Sequence, residues 1–179
     1  MAFNVTEFRA NLLGDGARPN LFQVSLTFPT VANSPLAGQR ISFLAKTAQL
    51  PGSTVGTVPL YYFGREMKFA GNRTFPDWSI TVINDEDFNV RNAFETWMDA
   101  LNSHTLNVRN PLAVNQLGYS IDASVTQFSK TGAPIKTYNF VGMFPTDVSP
   151  IELDWGTNDA IEEFSVTLAY QYWTADTTT

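Results

Sequence analysis

The sequence predicts a mainly β protein with one flanking α-helix packed on it. Three observations carry this. Several segments alternate apolar and polar residues with a period of two, the mark of half-buried strands. A single segment, Val90 to Leu101, switches to a helical period. The chain has 179 residues, 44% of them hydrophobic and 13% aromatic, enough to close one core around those elements.

The chain is organised around Gly71 to Leu101. Trp78, Ile80 and Val82 alternate with Asp77, Ser79 and Thr81 as a strand. Asn84 offers a side-chain oxygen as the helix N-cap, and Asp85, Glu86 and Asp87 place negative charge at the positive end of the helix dipole. Val90, Phe94, Trp97, Met98 and Leu101 then fall on one helix face, with Arg91 and Glu95 one turn apart on the other.

In chain order, residues 1–16 read as a helical or irregular arm with Phe8, Leu12 and Leu13 on its apolar side, broken at Gly14-Asp15-Gly16. Asn20 to Phe28 reads as a strand, Pro29 to Gln39 as a loop, and Ile41 to Leu50 as a second strand stopped by Pro51-Gly52. Residues 51–71 read as a protruding hairpin turning at Gly64-Arg65, with large apolar side chains on both faces. Such a segment either folds onto its own core or, if it projects, needs a partner, because unpaired strand groups and apolar side chains invite pairing. Asn102 to Gly118 reads as a loop. Ile121 to Ser129 and Ile135 to Met143 form a hairpin around Thr131-Gly132-Ala133-Pro134, and Ile161 to Trp173 is the longest strand. Residues 174–179 are expected to form a flexible tail. With no repeat, low-complexity tract or linker, residues 1–179 read as one domain.

Charge narrows the partners. The net charge is −6, and all of the excess lies at the end: after Lys136 there are seven acids and no Lys or Arg. A basic patch able to grip nucleic acid is therefore not expected. The chain has no cysteine, which removes disulfides, thiolate metal sites and a cysteine nucleophile. No apolar run approaches the ~18 residues of a membrane helix, so no stable membrane association is expected. The N-terminus lacks a basic start followed by an apolar core, so a secretory signal is not expected either.

Little in the sequence points to catalysis, and no cofactor is expected. His104, the only histidine, lies just past the helix and reads as a surface residue near its C-terminus. Asp85-x-Asp87-x-Asn89 resembles the start of a calcium loop, but Val90 stands where glycine is needed and Thr96 where glutamate is needed, so the site is rejected. No Gly-rich phosphate loop with its lysine is present. The carboxylates and Trp78, Trp97, Trp155 and Trp173 leave a carbohydrate-binding β-sandwich as an alternative. No carboxylate pair suited to glycoside hydrolysis is singled out, and the chain is expected not to be an enzyme. Trp155, within Leu153-Asp154-Trp155-Gly156, reads as a loop anchor.

Ala17 to Val24, Gly71 to Phe75 with Asp77-Trp78, Asn84-Asp85, Phe144-Pro145-Thr146, Leu153-Asp154-Trp155, and Phe164 to Leu168 with Tyr172-Trp173 occur in one order. Together these motifs resemble the tail tube proteins of contractile-tailed, large lytic (myovirus-type) bacteriophages, over about Ala17 to Trp173. The sequence departs from that pattern in longer segments at Pro29 to Gln39 and Ser103 to Gly118 and past Trp173. The resemblance implies a structural virion protein of the tail, assembled in the host cytoplasm. Two packed antiparallel sheets would form part of a hexameric β-barrel ring, and the rings would stack into a tube. The implied partners are further copies of the chain, the tail sheath protein, and baseplate and tail terminator proteins. DNA would pass through the lumen without specific binding. An inner tube of a bacterial contractile injection system or phage-like bacteriocin is the near alternative.

Two site expectations follow. Acids between Thr137 and Glu163, namely Asp147, Glu152, Asp159 and Glu162, are expected to contribute to a lumen that repels phosphate. Val58, Leu60, Tyr61, Tyr62, Phe63 and Met67 of the hairpin are expected to make ring-to-ring contacts, with Leu60 and Phe63 foremost.

Overall fold

The computed structural model describes residues 4–32, 34 and 36–178; Met1 to Phe3 of the predicted arm, two positions of the predicted Pro29–Gln39 loop and Thr179 of the predicted tail lie outside them. Nine strands are described: β1 (Phe22–Leu26), β2 (Ala45–Ala48), β3 (Thr54–Tyr62), β4 (Arg65–Thr74), β5 (Trp78–Ile83), β6 (Ile121–Phe128), β7 (Pro134–Val148), β8 (Glu163–Ala169) and β9 (Tyr172–Ala175). The helices are α1 (Val5–Asn11), α2 (Ala37–Leu44), α3 (Asn89–Leu101) and the single turn α4 (Gln116–Tyr119). All strand pairings are antiparallel.

Seven strands form one sheet in the order β1-β6-β7-β8-β5-β2, with β9 on β7 beside it; β3 and β4 form a separate two-stranded sheet. The fifteen-residue β7 is the hinge of the body. Its first part pairs with β6 and β9, and its last part with β8. Between them the β6 register shifts, and Gly142 adopts φ 66°, a left-handed conformation that glycine takes without steric cost. Asp122 accepts a hydrogen bond from the Gly142 N–H at 3.0 Å there. Two leaves thus share one strand, and the sheet curls until its terminal strands β1 and β2 approach each other.

The inward residues of both leaves meet in one core. Val24, Leu26, Val125 and Phe140 come from one leaf, and Trp78, Ile80, Val82, Phe164, Val166 and Leu168 from the other. Trp78 and Phe140 touch across the leaves with ring centroids 4.7 Å apart. Among the described residues no polar or charged residue is fully buried. Helix α3 adds Val90, Phe94 and Trp97 to this core, with Phe28 edge-on to Phe94 at 4.9 Å. The indole N–H groups of Trp78 and Trp97 donate to the carbonyls of Gln49 and Tyr119 at 2.6 and 2.7 Å, so each ring is buried without a lost hydrogen bond.

Several expectations are corrected. Helix α3 begins at Asn89, five residues beyond the predicted Asn84 cap. Asn84 prolongs the strand edge instead: its N–H and its side-chain amide both donate to Glu162, at 2.8 and 2.9 Å. Phe88 occupies the cap position in a left-handed conformation without a side-chain cap, and Asp85 Oδ1 instead accepts from the first helical N–H, that of Asn89, at 3.2 Å. Ile41 to Leu44 is helix, not strand. Ala37 and Ile41 lie one turn apart, both fully buried, while Arg40 on another side bonds Asp85 at 2.6 Å and Asp87 at 3.0 Å. The protein therefore has more than one flanking helix. The predicted strand from Ile161 to Trp173 is two, β8 and β9, separated at Tyr170-Gln171 where β7 changes leaf; β7 is the longest strand. Thr174 and Ala175, expected in the tail, belong to β9.

Candidate assembly surfaces

The β3–β4 hairpin stands off the body as an arm. Its turn is Phe63-Gly64, with φ 45° and 78°, a two-residue turn of positive φ that suits the right-handed twist of a hairpin. The register sorts its side chains. Val58 faces Phe69, Leu60 faces Met67 and Tyr62 faces Arg65, while the intervening pairs are Thr57 with Ala70, Pro59 with Lys68 and Tyr61 with Glu66. Because strand side chains alternate, the first set shares one face and the second the other. Val58, Leu60, Tyr62, Met67 and Phe69 thus share one face, while Val55, Pro59 and Tyr61 lie on the other, so large apolar side chains stand on both faces, as the sequence suggested, with the first face the more apolar. All of β3 and nearly all of β4 are exposed, with Phe63 at 91%. Of the six residues expected to make ring-to-ring contacts, Val58, Leu60, Tyr62 and Met67 line the apolar face. Phe63 sits at the tip, edge-on to Tyr62 at 4.5 Å, and Tyr61 lies on the other face. Phe69 completes the apolar face, legible only from its pairing with Val58.

The second uncovered feature is the segment between β7 and β8. Leu153, Trp155 and Ile161 are exposed, Trp155 completely, amid Glu152, Asp154 and Asp159. Trp155 therefore anchors nothing among the described residues. The turn is held by Asp154, whose carboxylate accepts from the Gly156 N–H at 2.9 Å. Sequence reasoning missed Leu153 and Trp155 as surface residues; two large apolar side chains within an acidic loop were the available signal.

The third feature is the outward face of β2, β5, β8 and the end of β7. Thr47, Ser79, Thr81, Ser165 and Thr167 alternate with the core residues there. Ser79 and Thr167 pair across the strands at 3.3 Å. Asp147 stands opposite Thr167 on this face. The other expected lumen acids are not on the sheet. Glu152 and Asp159 are exposed in the loop beyond its end, and Glu162 is half-buried against Asn84. Helix α1 is also uncovered: Asn4 caps it by accepting from the Thr6 N–H at 3.1 Å, yet none of its residues is buried.

Among the described residues no group of three or more His, Asp or Glu could hold a metal ion. Asp85 and Asp87, the calcium-like pair, are engaged by Arg40. His104 is exposed near the end of α3, its ring 2.7 Å from the Asp99 carboxylate. The His104 backbone N–H and then its ring hold the Asp99 carboxyl below its usual value. Burial, with the Asp77 charge, pushes the Tyr170 phenol up. Among the described residues no helix is long and apolar enough to cross a membrane.

A closed apolar body bearing uncovered apolar projections is the form of a structural subunit that is completed by other protein surfaces. The chain belongs to the phage tail tube protein family, whose model matches residues 17–176. It is 34% identical to the tail tube protein gp19 of Enterobacteria phage T4 over 166 residues, covering 92% of this chain and 95% of that protein. It is 27% identical to the tail tube protein of Serratia phage KSP90 over 168 residues, covering 93% of each. Its fold is similar to chains in solved assemblies. In the anti-feeding prophage tube-terminating cap the TM-score is 0.61 at 17% identity, covering 89% of this chain and 90% of the other. In the sheath-tube complex of an extracellular contractile injection system it is 0.57 at 14% identity, covering 98% and 99%.

Proposed function

We propose that this chain assembles with itself into hexameric rings that stack as the inner tube of a contractile phage tail, and that the tube conducts DNA into the host when the sheath contracts. The observation that carries self-assembly is the arm. Five apolar side chains lie on one face of a two-stranded ribbon and touch no core. Each would stabilise a contact by about 1.5–3 kcal/mol if fully covered. The arm is read as the ring-to-ring contact, with Leu60 and Phe63 at its centre and Val58, Tyr62 and Met67 beside them; Tyr61 meets the neighbour from the other face.

The channel is read as lined by the hydroxyl face of β2, β5, β8 and β7. Its serines and threonines bond to one another, Asp147 gives the face negative charge, and Lys46 of β2 is paired with Glu163 of β8, so the face carries no unpaired cation among the described residues to hold passing phosphate. Glu152, Asp159 and Glu162 then stand where that leaf ends, at the mouth of each ring. The sheath, baseplate and terminator proteins are the expected partners on the other surfaces, in the virion tail, after assembly in the host cytoplasm. The role is mechanical, without catalysis. An injection-system inner tube is the second reading. It rests on fold likeness alone, whereas the closer sequence likeness is to phage proteins.

Negative-stain electron microscopy of the purified protein, alone and with a matching baseplate, tests the proposal. Sixfold rings or hollow tubes are expected. Single small particles even with the baseplate present would overturn it.

A further inference from the structure

Three features of the surface carry uncovered apolar side chains: α1, the arm and the β7–β8 loop. Only the last two complement each other. Between Thr54 and Thr74 the arm carries Arg65, Lys68 and Arg73 against one acid, Glu66. Arg65 and Arg73 have no ion-pair partner among the described residues, and Lys68 reaches Glu66 only at 4.0 Å. The loop from Ser149 to Ile161 carries Glu152, Asp154 and Asp159 and no cation. None of these three acids is in an ion pair among the described residues. Each feature is also tipped with large apolar groups, Phe63 on the arm and Leu153 and Trp155 on the loop. Within the chain no hydrogen bond or ion pair joins the two, among the described residues.

We infer that the arm tip of one copy, Phe63 and Arg65, docks on the Leu153-Asp154-Trp155 segment of a second copy. The inference rests on the self-assembly reading above and names the surface that receives the arm. Opposite charges steer the two features together and disfavour arm against arm or loop against loop, since either would set like charges face to face. The apolar tips supply the buried centre, with an aromatic from each side, as interface centres favour. The two surfaces differ, so each copy that receives an arm still has its own arm free. A contact of this kind is heterologous and propagates instead of closing as a dimer, which is what a stack of indefinite length requires.

The chain has no cysteine, so introduced thiols report this contact without background. Copies bearing Phe63→Cys are mixed with size-tagged copies bearing Trp155→Cys, assembled, treated with a flexible bismaleimide and run on a denaturing gel. A second mixture uses Arg65→Cys with Leu153→Cys, all four positions being exposed and outside the core. The expected result is a mixed dimer of one tagged and one untagged chain in either mixture, and loss of that band when each variant is assembled alone. Rings or tubes that are visible by microscopy but give no mixed dimer in either mixture would overturn the docking and leave the tube reading standing. Dimers from Phe63→Cys alone would overturn it in favour of arm against arm. The mixtures are doped with unsubstituted chain so that assembly does not depend on the altered side chains, and absence of assembly by the unsubstituted chain itself would overturn the tube reading and the docking with it.

Discussion

β5 and β3 are written in the same pattern and meet opposite fates. In β5, Trp78, Ile80 and Val82 alternate with Ser79 and Thr81, and all three apolar residues are at most 2% exposed. In β3, Val58, Leu60 and Tyr62 alternate with Thr57, Pro59 and Tyr61, and every residue is exposed. The difference is not in the strand but in what lies over it. β5 is flanked by β8 and β2 and faced by Phe140, whereas β3 has one neighbour, β4, and no described residue buries its apolar face. Periodicity decides which side chains share a face. It does not decide whether the cover comes from the same chain or from another.

That contrast can be broken from the body's side. Trp97 is fully buried and bonds the Tyr119 carbonyl. Trp97→Ala removes the ring and orphans that carbonyl, so a loss of about 3–5 kcal/mol in denaturant unfolding is expected. A smaller loss would mean that α3 is less integral to the core than its packing shows. Next in size, Asp85→Ala removes the acceptor of the Asn89 N–H and the Arg40 ion pair together, and a loss of about 1 kcal/mol is expected. Hydrogen exchange should place that loosening in α2 and the first turn of α3, leaving the arm unchanged. The smallest effect on the monomer is expected from Leu60→Asp and Phe63→Asp, within about 0.5 kcal/mol because both side chains are already in water. These same changes are expected to abolish tube formation. Tubes of normal appearance from both variants would show that the arm is not an assembly surface.

The sequence carried some elements openly and others not at all. β5 and α3 were legible because their apolar residues repeat at periods of two and of 3.6 over several turns. The family was legible from short motifs spread along nearly the whole chain. The start of α3 was not, because Asn84 satisfies every local rule for a cap and is diverted by Glu162, which lies far away in sequence. α2 was hidden for a related reason. Ile41-Ser42-Phe43-Leu44 can be read as a strand, and only the burial of Ala37 one turn earlier, with Phe43 left 84% exposed, shows the helical face. The division between β8 and β9 depends on where β7 turns, a property of another strand. Of the assembly surfaces, the arm could be read as apolar, but which of its faces is the more apolar needed the register. The β7–β8 loop was passed over because a tryptophan in a turn is ordinarily a buried anchor.

The shared strand has a mechanical consequence. Sandwich proteins commonly divide their two sheets among different strands, so that sliding one sheet over the other loads only loops and side-chain packing. Here the two leaves hold opposite ends of β7, and its polypeptide runs unbroken from Pro134 to Val148. A shear that displaces one leaf against the other pulls along that backbone and must peel β7 from β6 and β9 at one end or from β8 at the other. The load is thereby shared among whole ladders of hydrogen bonds acting together. In the tube proposed above, such a strand is a tie-rod inside every subunit.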